Sequence, residues 1–144
     1  MLGVANPTDM STASFSNKYF LGQIHLNSED AKINGYINYV GGKDRSNAHN
    51  DEFDVVFSDA VSGKFGIGYN GAVKWVKPDG SNRRSWWGSA LYLNFDPTST
   101  WGLTARGEYF SDEKSVAGLG AAILDFTLSG NIHIDNLTLI PNGY

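Results

Sequence analysis

The feature that most constrains this chain is a hydrophobic period of two residues, with no competing period of 3.6 over any useful length. Tyr19 to Asn27 sets Phe20, Gly22, Ile24 and Leu26 against Gln23, His25 and Asn27. Lys32 to Val40 sets Ile33, Gly35, Ile37 and Tyr39 against Asn34, Tyr36 and Asn38. Phe53 to Ala60 sets Phe53, Val55 and Phe57 against Asp54, Val56 and Ser58. The cleanest run, Lys64 to Trp75, sets Phe65, Ile67, Tyr69, Gly71, Val73 and Trp75 against Lys64, Gly66, Gly68, Asn70, Ala72 and Lys74. Trp86 to Phe95, Trp101 to Phe110 and Ala122 to Ile132 continue the pattern, with strand-like stubs at Leu2 to Ala5 and Leu137 to Ile140. Side chains two apart share a face of a strand, so each run has one apolar and one polar face. The pattern predicts an all-β, antiparallel, up-and-down sheet of seven or eight clear strands without helix.

The connections predict how that sheet is used. Short ones (28–31, 61–63, 96–100 and a tight turn near Asp135 and Asn136) alternate with longer ones (6–17, 41–52, 77–85 and 112–120). In an up-and-down chain, successive connections fall at opposite ends, so the short turns gather at one end and the long loops at the other. That sorting is the layout of outer-membrane barrels. The runs are about ten residues, close to the ~9–11 that a tilted strand needs to cross a bilayer. Tyr19, Phe20, Tyr39, Phe53, Trp75, Trp86, Trp87, Tyr109 and Phe110 cluster towards the long-loop end, and Phe57, Phe65, Phe95 and Trp101 towards the other. Two such belts are expected of interfacial girdles.

Composition excludes other classes. Hydrophobic residues make up 41% and aromatics 13%, too much for a disordered chain. The longest stretch free of polar residues, Val116 to Leu124, is far too short for a spanning helix. A net charge of −4 gives no reason to expect nucleic acid. There is no cysteine, hence no disulfide and no thiolate metal site. Met1 to Asp9 has neither a basic n-region nor a long apolar h-region, so it does not read as a signal peptide.

Nothing points to catalysis, a cofactor or a metal. Gly66-Ile67-Gly68-Tyr69-Asn70-Gly71 matches the dinucleotide-binding glycine motif letter for letter, but it lies within a dyad strand with no helix pattern after it. His25, His49 and His133 have no metal-ligand spacing, and there is no G-x-S-x-G elbow. Acidic groups in the loops, at Asp51 and Glu52 and at Asp112 and Glu113, lack EF-hand spacing. Asn136-Leu137-Thr138 is a formal glycosylation sequon at a tight turn. The chain therefore reads as a non-enzyme.

The charges carry the functional reading. Lys64, Lys74, Arg106, Glu108 and Asp125 all have parity opposite to the apolar face. In a membrane barrel they line a wet lumen, while Phe20, Ile24, Leu26, Ile37, Phe57, Ile67, Val73, Leu91, Leu93, Leu103, Leu124, Phe126 and Leu128 form an outward band. In a soluble barrel the two roles are exchanged, and periodicity alone does not separate the cases. Arg106 and Glu108, on one side of one strand, with Asp125 on the next, either set a constriction that filters solutes or fix the shape of the wall.

Trp101 to Asp112 (WGLTARGEYFSD), with Trp86 to Tyr92 before it and Asn136 to Pro141 after it, resembles the family known as putative β-barrel porin type 2 of Gram-negative outer membranes. Gly3 to Asp9, Asn17 to Tyr19 and Gly22 to Ile24 are similar to a loop and following strand of that family. The resemblance implies an outer-membrane barrel with short periplasmic turns and long extracellular loops. It would pass small polar solutes by diffusion, with outer-membrane lipid and those solutes as partners and a homo-oligomer left open. Family members are longer chains with a signal peptide, and Pro141, Asn142, Gly143 and Tyr144 make a poor closing strand. Residues 1–144 are therefore expected to be one barrel domain that is part of a longer barrel, a C-terminal fragment of it. The alternatives are a closed eight-stranded membrane barrel without a pore, and a soluble ligand-binding barrel of lipocalin or streptavidin type.

Overall fold

A computed structural model describes residues 1–7, 11–12, 17–134 and 137–139. The expected turn at Asp135 and Asn136, the end of the last strand at Ile140, and residues 141–144 lie outside the described residues. Nine strands form one sheet: β1 (Leu2–Ala5), β2 (Tyr19–Asn27), β3 (Ile33–Lys43), β4 (His49–Asp59), β5 (Phe65–Lys77), β6 (Arg84–Phe95), β7 (Trp101–Ser111), β8 (Ala122–Ile134) and β9 (Leu137–Leu139). Their order in space is their order in sequence, and every pairing is antiparallel. There is no helix among the described residues. The all-β, up-and-down reading holds, and the glycine motif at 66–71 lies inside β5 as its dyad pattern implied.

Several strands outrun the alternation that reveals them, β3 and β4 furthest. The sequence placed a loop over 41–52, yet Gly41, Gly42 and Lys43 pair with Asp51, Asn50 and His49, so only residues 44–48 connect β3 to β4. The polar run from His49 to Glu52 resembles a loop only when read for hydrophobicity. Its backbone continues the hairpin ladder because both neighbours, β3 and β5, supply partners. The connections at one end accordingly span 6–18, 44–48, 78–83 and 112–121, and those at the other 28–32, 60–64, 96–100 and 135–136. Their sorting by length survives in the first and last loops and is weak between them.

The short turns are built by side chains bonding the backbone. Ser28 Oγ accepts from Ile33 N at 3.0 Å, and Thr98 Oγ1 accepts from Trp101 N at 3.2 Å. Ser62 Oγ accepts from Lys64 N at 3.2 Å and Phe65 N at 3.1 Å. These turns fix register, and a slip of one residue would exchange the two faces.

Register aligns the apolar positions across the sheet. Gly35, Phe57, Tyr69, Leu91, Gly107 and Phe126 form one continuous row, and Ile37, Val55, Gly71, Ser89, Tyr109 and Leu124 the next. All members of the expected outward band stand on this face. They are not packed against a second layer: Leu124, Phe126 and Leu128 are 64%, 76% and 75% exposed. The only buried hydrophobic residues among those described are Tyr19, Ala48 and Ala90.

Aromatic side chains separate by face as well as by end. Tyr39, Phe53 and Trp75 pack in sequence on the apolar face, with ring centroids 4.8 and 6.0 Å apart, and Trp87 meets Tyr109 at 5.0 Å on the same face. Tyr19, Trp86 and Phe110 belong to the opposite parity, and Trp86 packs on Phe110 there. Grouping by end alone merges the two sets. Tyr39 lies back across Gly41, where any Cβ would collide with its ring, and its hydroxyl donates to Asp51 at 2.9 Å.

Candidate functional site

The polar face carries the chemistry. Strand pleating brings every second residue of β2 to β8 onto it, and the cross-strand register joins these residues into rows. Gln23, Asn38 and Asp54 are direct neighbours on β2, β3 and β4. Gln23 Nε2 donates to Asn38 Oδ1 at 2.8 Å, and Asn38 Nδ2 donates in turn to Asp54 Oδ1. One row on, His25 stacks on Tyr36 with ring centroids 4.2 Å apart and planes within 1°. Near the short-turn end, Asn131 Nδ2 donates to Thr104 Oγ1 at 2.9 Å, and Thr104 donates to Asn94 Oδ1 at 2.8 Å. These chains of bonds run across strands, so they tie neighbouring strands together on this face.

The residues singled out from sequence divide into three groups. Arg106, Glu108 and Asp125 come together. Glu108 faces Asp125 directly across β7 and β8, and Arg106 pairs with Glu108 from two residues away. Arg106 also donates through Nε to the Tyr92 hydroxyl at 3.1 Å, its guanidinium 5.5 Å from the centre of that ring. Two carboxylates directly opposite would repel, and the guanidinium offsets that repulsion. Lys74 lies apart from this group, on β5, where it pairs with Glu52 of β4 at 3.2 Å. Lys64 precedes β5, exposed in the turn 60–64.

Glu52, Asp54 and Tyr92 were not among the sequence candidates. Their parity, opposite to Phe53, Val55 and Leu91, was the available signal. The register that matches Glu52 to Lys74 and Tyr92 to Arg106 is set by turns and is not readable from one strand alone.

Two loops at the other rim are organised by single carboxylates. Asp44 Oδ1 accepts from Ser46 N at 2.8 Å, Ser46 Oγ at 2.6 Å and Ala48 N at 3.1 Å, and its Oδ2 accepts from the buried Asn50 side chain. Asp112 is fully buried and accepts from the amides of Val116, Ala117 and Leu119 at 2.6, 3.0 and 2.9 Å. Desolvation pushes both carboxyls up, and the donors outweigh it, holding both below their ordinary range. Among the described residues no three His, Cys, Asp or Glu side chains are placed to hold a metal ion.

The arrangement can offer water a polar surface of mixed charge and offer an apolar medium the opposite surface. No curated protein and no solved structure matches the chain. A family model described as "Putative beta-barrel porin-2, OmpL-like" matches residues 1–143, essentially the whole chain, and the protein belongs to that porin family.

Proposed function

We propose that this chain forms wall of an outer-membrane pore through which small polar solutes diffuse passively, with the face bearing Lys74, Arg106, Glu108 and Asp125 turned to the lumen and Lys64 at its rim. The observation that carries the reading is the division of the sheet into an exposed apolar face and a cross-linked polar face. Large apolar side chains left uncovered in water would be costly, at ~25 cal/mol per Å². Facing hydrocarbon, the same side chains are in their proper solvent. A soluble barrel of lipocalin type would gather Leu91, Leu103 and Phe126 inside, and the half-buried, mutually bonded groups on the opposite face favour that polar face as the inner one.

A sheet in hydrocarbon cannot leave strand edges unpaired, since each unsatisfied backbone group costs several kcal/mol. β1 and β9 therefore acquire partners in the membrane, and further strands of a longer barrel supply them. The lumen side carries Glu52, Asp54, Glu108 and Asp125 against Lys74, Arg106 and the rim residue Arg84. With Lys64 also at the rim, four acids face four bases, so the lumen should discriminate little between small cations and anions. Nothing in this role requires a catalytic group or a cofactor.

The test uses the absence of cysteine from residues 1–144, so an introduced thiol is the one labelling site within them. In vesicles containing the protein, Asn70→Cys should react with a water-soluble maleimide and Leu91→Cys only with a lipid-soluble one. The reverse pattern would establish a soluble-type barrel. Swelling rates of the same vesicles in neutral sugars should fall with sugar size and show no saturation; saturation by one sugar would overturn passive diffusion.

A further inference from the structure

The polar residues that extend β3, β4 and β5 past the apolar band have a property their sequence hides. Lys43, His49 and Lys77 are direct cross-strand neighbours. By parity they stand on the apolar face, in line with Tyr39, Phe53 and Trp75, and not on the proposed lumen side. Arg83 folds from the loop 78–83 onto the same face, its guanidinium 4.9 Å above the Trp75 ring. Asp51, one register step nearer the aromatics, accepts from the Tyr39 hydroxyl at 2.9 Å and pairs with His49 at 3.2 Å and Arg83 at 3.4 Å. It holds the imidazole and the guanidinium in place. Lys43, His49, Lys77 and Arg83 line one open cleft, and Asp79 is the one carboxylate on its wall. Among the described residues neither Lys43 nor Lys77 has an ion-pair partner.

Cations on the lipid side of a membrane sheet, immediately beyond its aromatic belt, sit at the depth of the headgroups. We infer that this cleft binds the phosphate of an anionic lipid, with Lys43 and Lys77 as its principal ligands and Arg83 as the third cation. Strands are ~4.8 Å apart, so Lys43 and Lys77 are rooted about 10 Å apart with His49 between them. Their flexible stems can converge on one phosphate or engage two on a single headgroup. Asp51 contributes by positioning, since its carboxylate is already shared among three donors. The inference rests on the reading that the apolar face meets lipid.

The probe is phosphatidic acid, with phosphatidylcholine as the zwitterionic control and inorganic phosphate as the free anion. The protein in neutral detergent micelles is titrated with each, and bound lipid is counted by native mass spectrometry. The wild type should retain phosphatidic acid well above phosphatidylcholine. A juxtamembrane lysine is worth about fivefold in binding, ~1 kcal/mol, so Lys43→Ser with Lys77→Ser should weaken retention about 30-fold. Lys43→Arg with Lys77→Arg should keep most of it. Lys32→Ser, at the opposite end of the sheet, should change nothing. Retention unchanged in the double serine variant would overturn the site, as would displacement of the lipid by equimolar inorganic phosphate. Lipid-phase labelling of Leu91→Cys, run separately, reports on the membrane reading itself.

Discussion

Across β6, β7 and β8, Leu91, Leu93, Leu103, Phe126 and Leu128 stand side by side without a polar contact, while on the reverse of the same strands Arg106 reaches Tyr92 and Glu108, and Asn131 reaches Thr104. The backbone is shared, so the difference lies entirely in side-chain parity and in the solvent each face is made for. On the membrane reading proposed above, the apolar face of these strands is held by its surroundings: its side chains are exposed and make few specific bonds. The polar face is held by itself, through bonds that cross from strand to strand. One face should therefore be sensitive to charge and tolerant of shape, and the other tolerant of charge and sensitive to the loss of a partner.

The harshest test places the same substitution on both faces. Leu91 lies mid-strand on the apolar face, and Asn70 lies mid-strand on the polar face of the paired strand β5. Leu91→Arg should cost about 2–4 kcal/mol of folding into a bilayer, the midplane penalty for arginine on a lipid-facing site. Asn70→Arg should stay within about 0.5 kcal/mol, as for an exposed site. Urea unfolding from phosphatidylcholine vesicles measures both, and equal costs would erase the distinction between the faces.

A smaller effect is expected where the polar face loses a charge. Arg106→Ala leaves Glu108 opposite Asp125 with no cation between them. The pair should destabilise the sheet by about 1 kcal/mol. The lumen should also become more selective for cations, read as a shift in reversal potential across a potassium chloride gradient. Arg106→Lys keeps the charge and loses the planar fork that serves Tyr92 and Glu108 together, so it should restore selectivity more fully than stability. A stability loss without any shift in reversal potential would assign the cluster to wall shape alone, the other role open to it from sequence.

How far these faces were legible follows from the same contrast. The apolar face could be read almost whole, because Phe20 to Leu26 or Phe65 to Trp75 declares its parity within a single strand. The polar face could be read only as a set of residues. Arg106 and Glu108 share a strand and were found together. Tyr92, Glu52 and Asp54 act through partners on other strands, and those partners depend on turns that shift register by single residues. The extension of β3 and β4 was illegible for a further reason: Asn50, Asp51 and Glu52 have no apolar alternation, and their strand character comes from the ladders on either side. The basic row of Lys43, His49 and Lys77 emerges only once those ladders are known.

The gentlest prediction concerns a region that belongs to neither face. The loop 112–121 is organised by Asp112, whose carboxylate is fully buried and accepts from Val116, Ala117 and Leu119. Burial alone would raise its pKa; the amide donors more than offset this and lower it below the ordinary 3.8. A group whose folded pKa is depressed contributes its stability in full above the unfolded value and loses it as pH falls through the folded one. The Ala117 and Leu119 amides should thus keep their hydrogen-exchange protection, corrected for intrinsic rate, from neutral pH down to about pH 4. They should lose it only below that, while amides inside β7 and β8 remain protected throughout. Asp112→Asn removes the charge at every pH, so in that variant the loop amides should exchange faster already at neutral pH, with the sheet unchanged. If β7 and β8 lost protection along with the loop, the carboxylate would be holding strands and not merely a loop, and the independence of the rim from the two faces would fail.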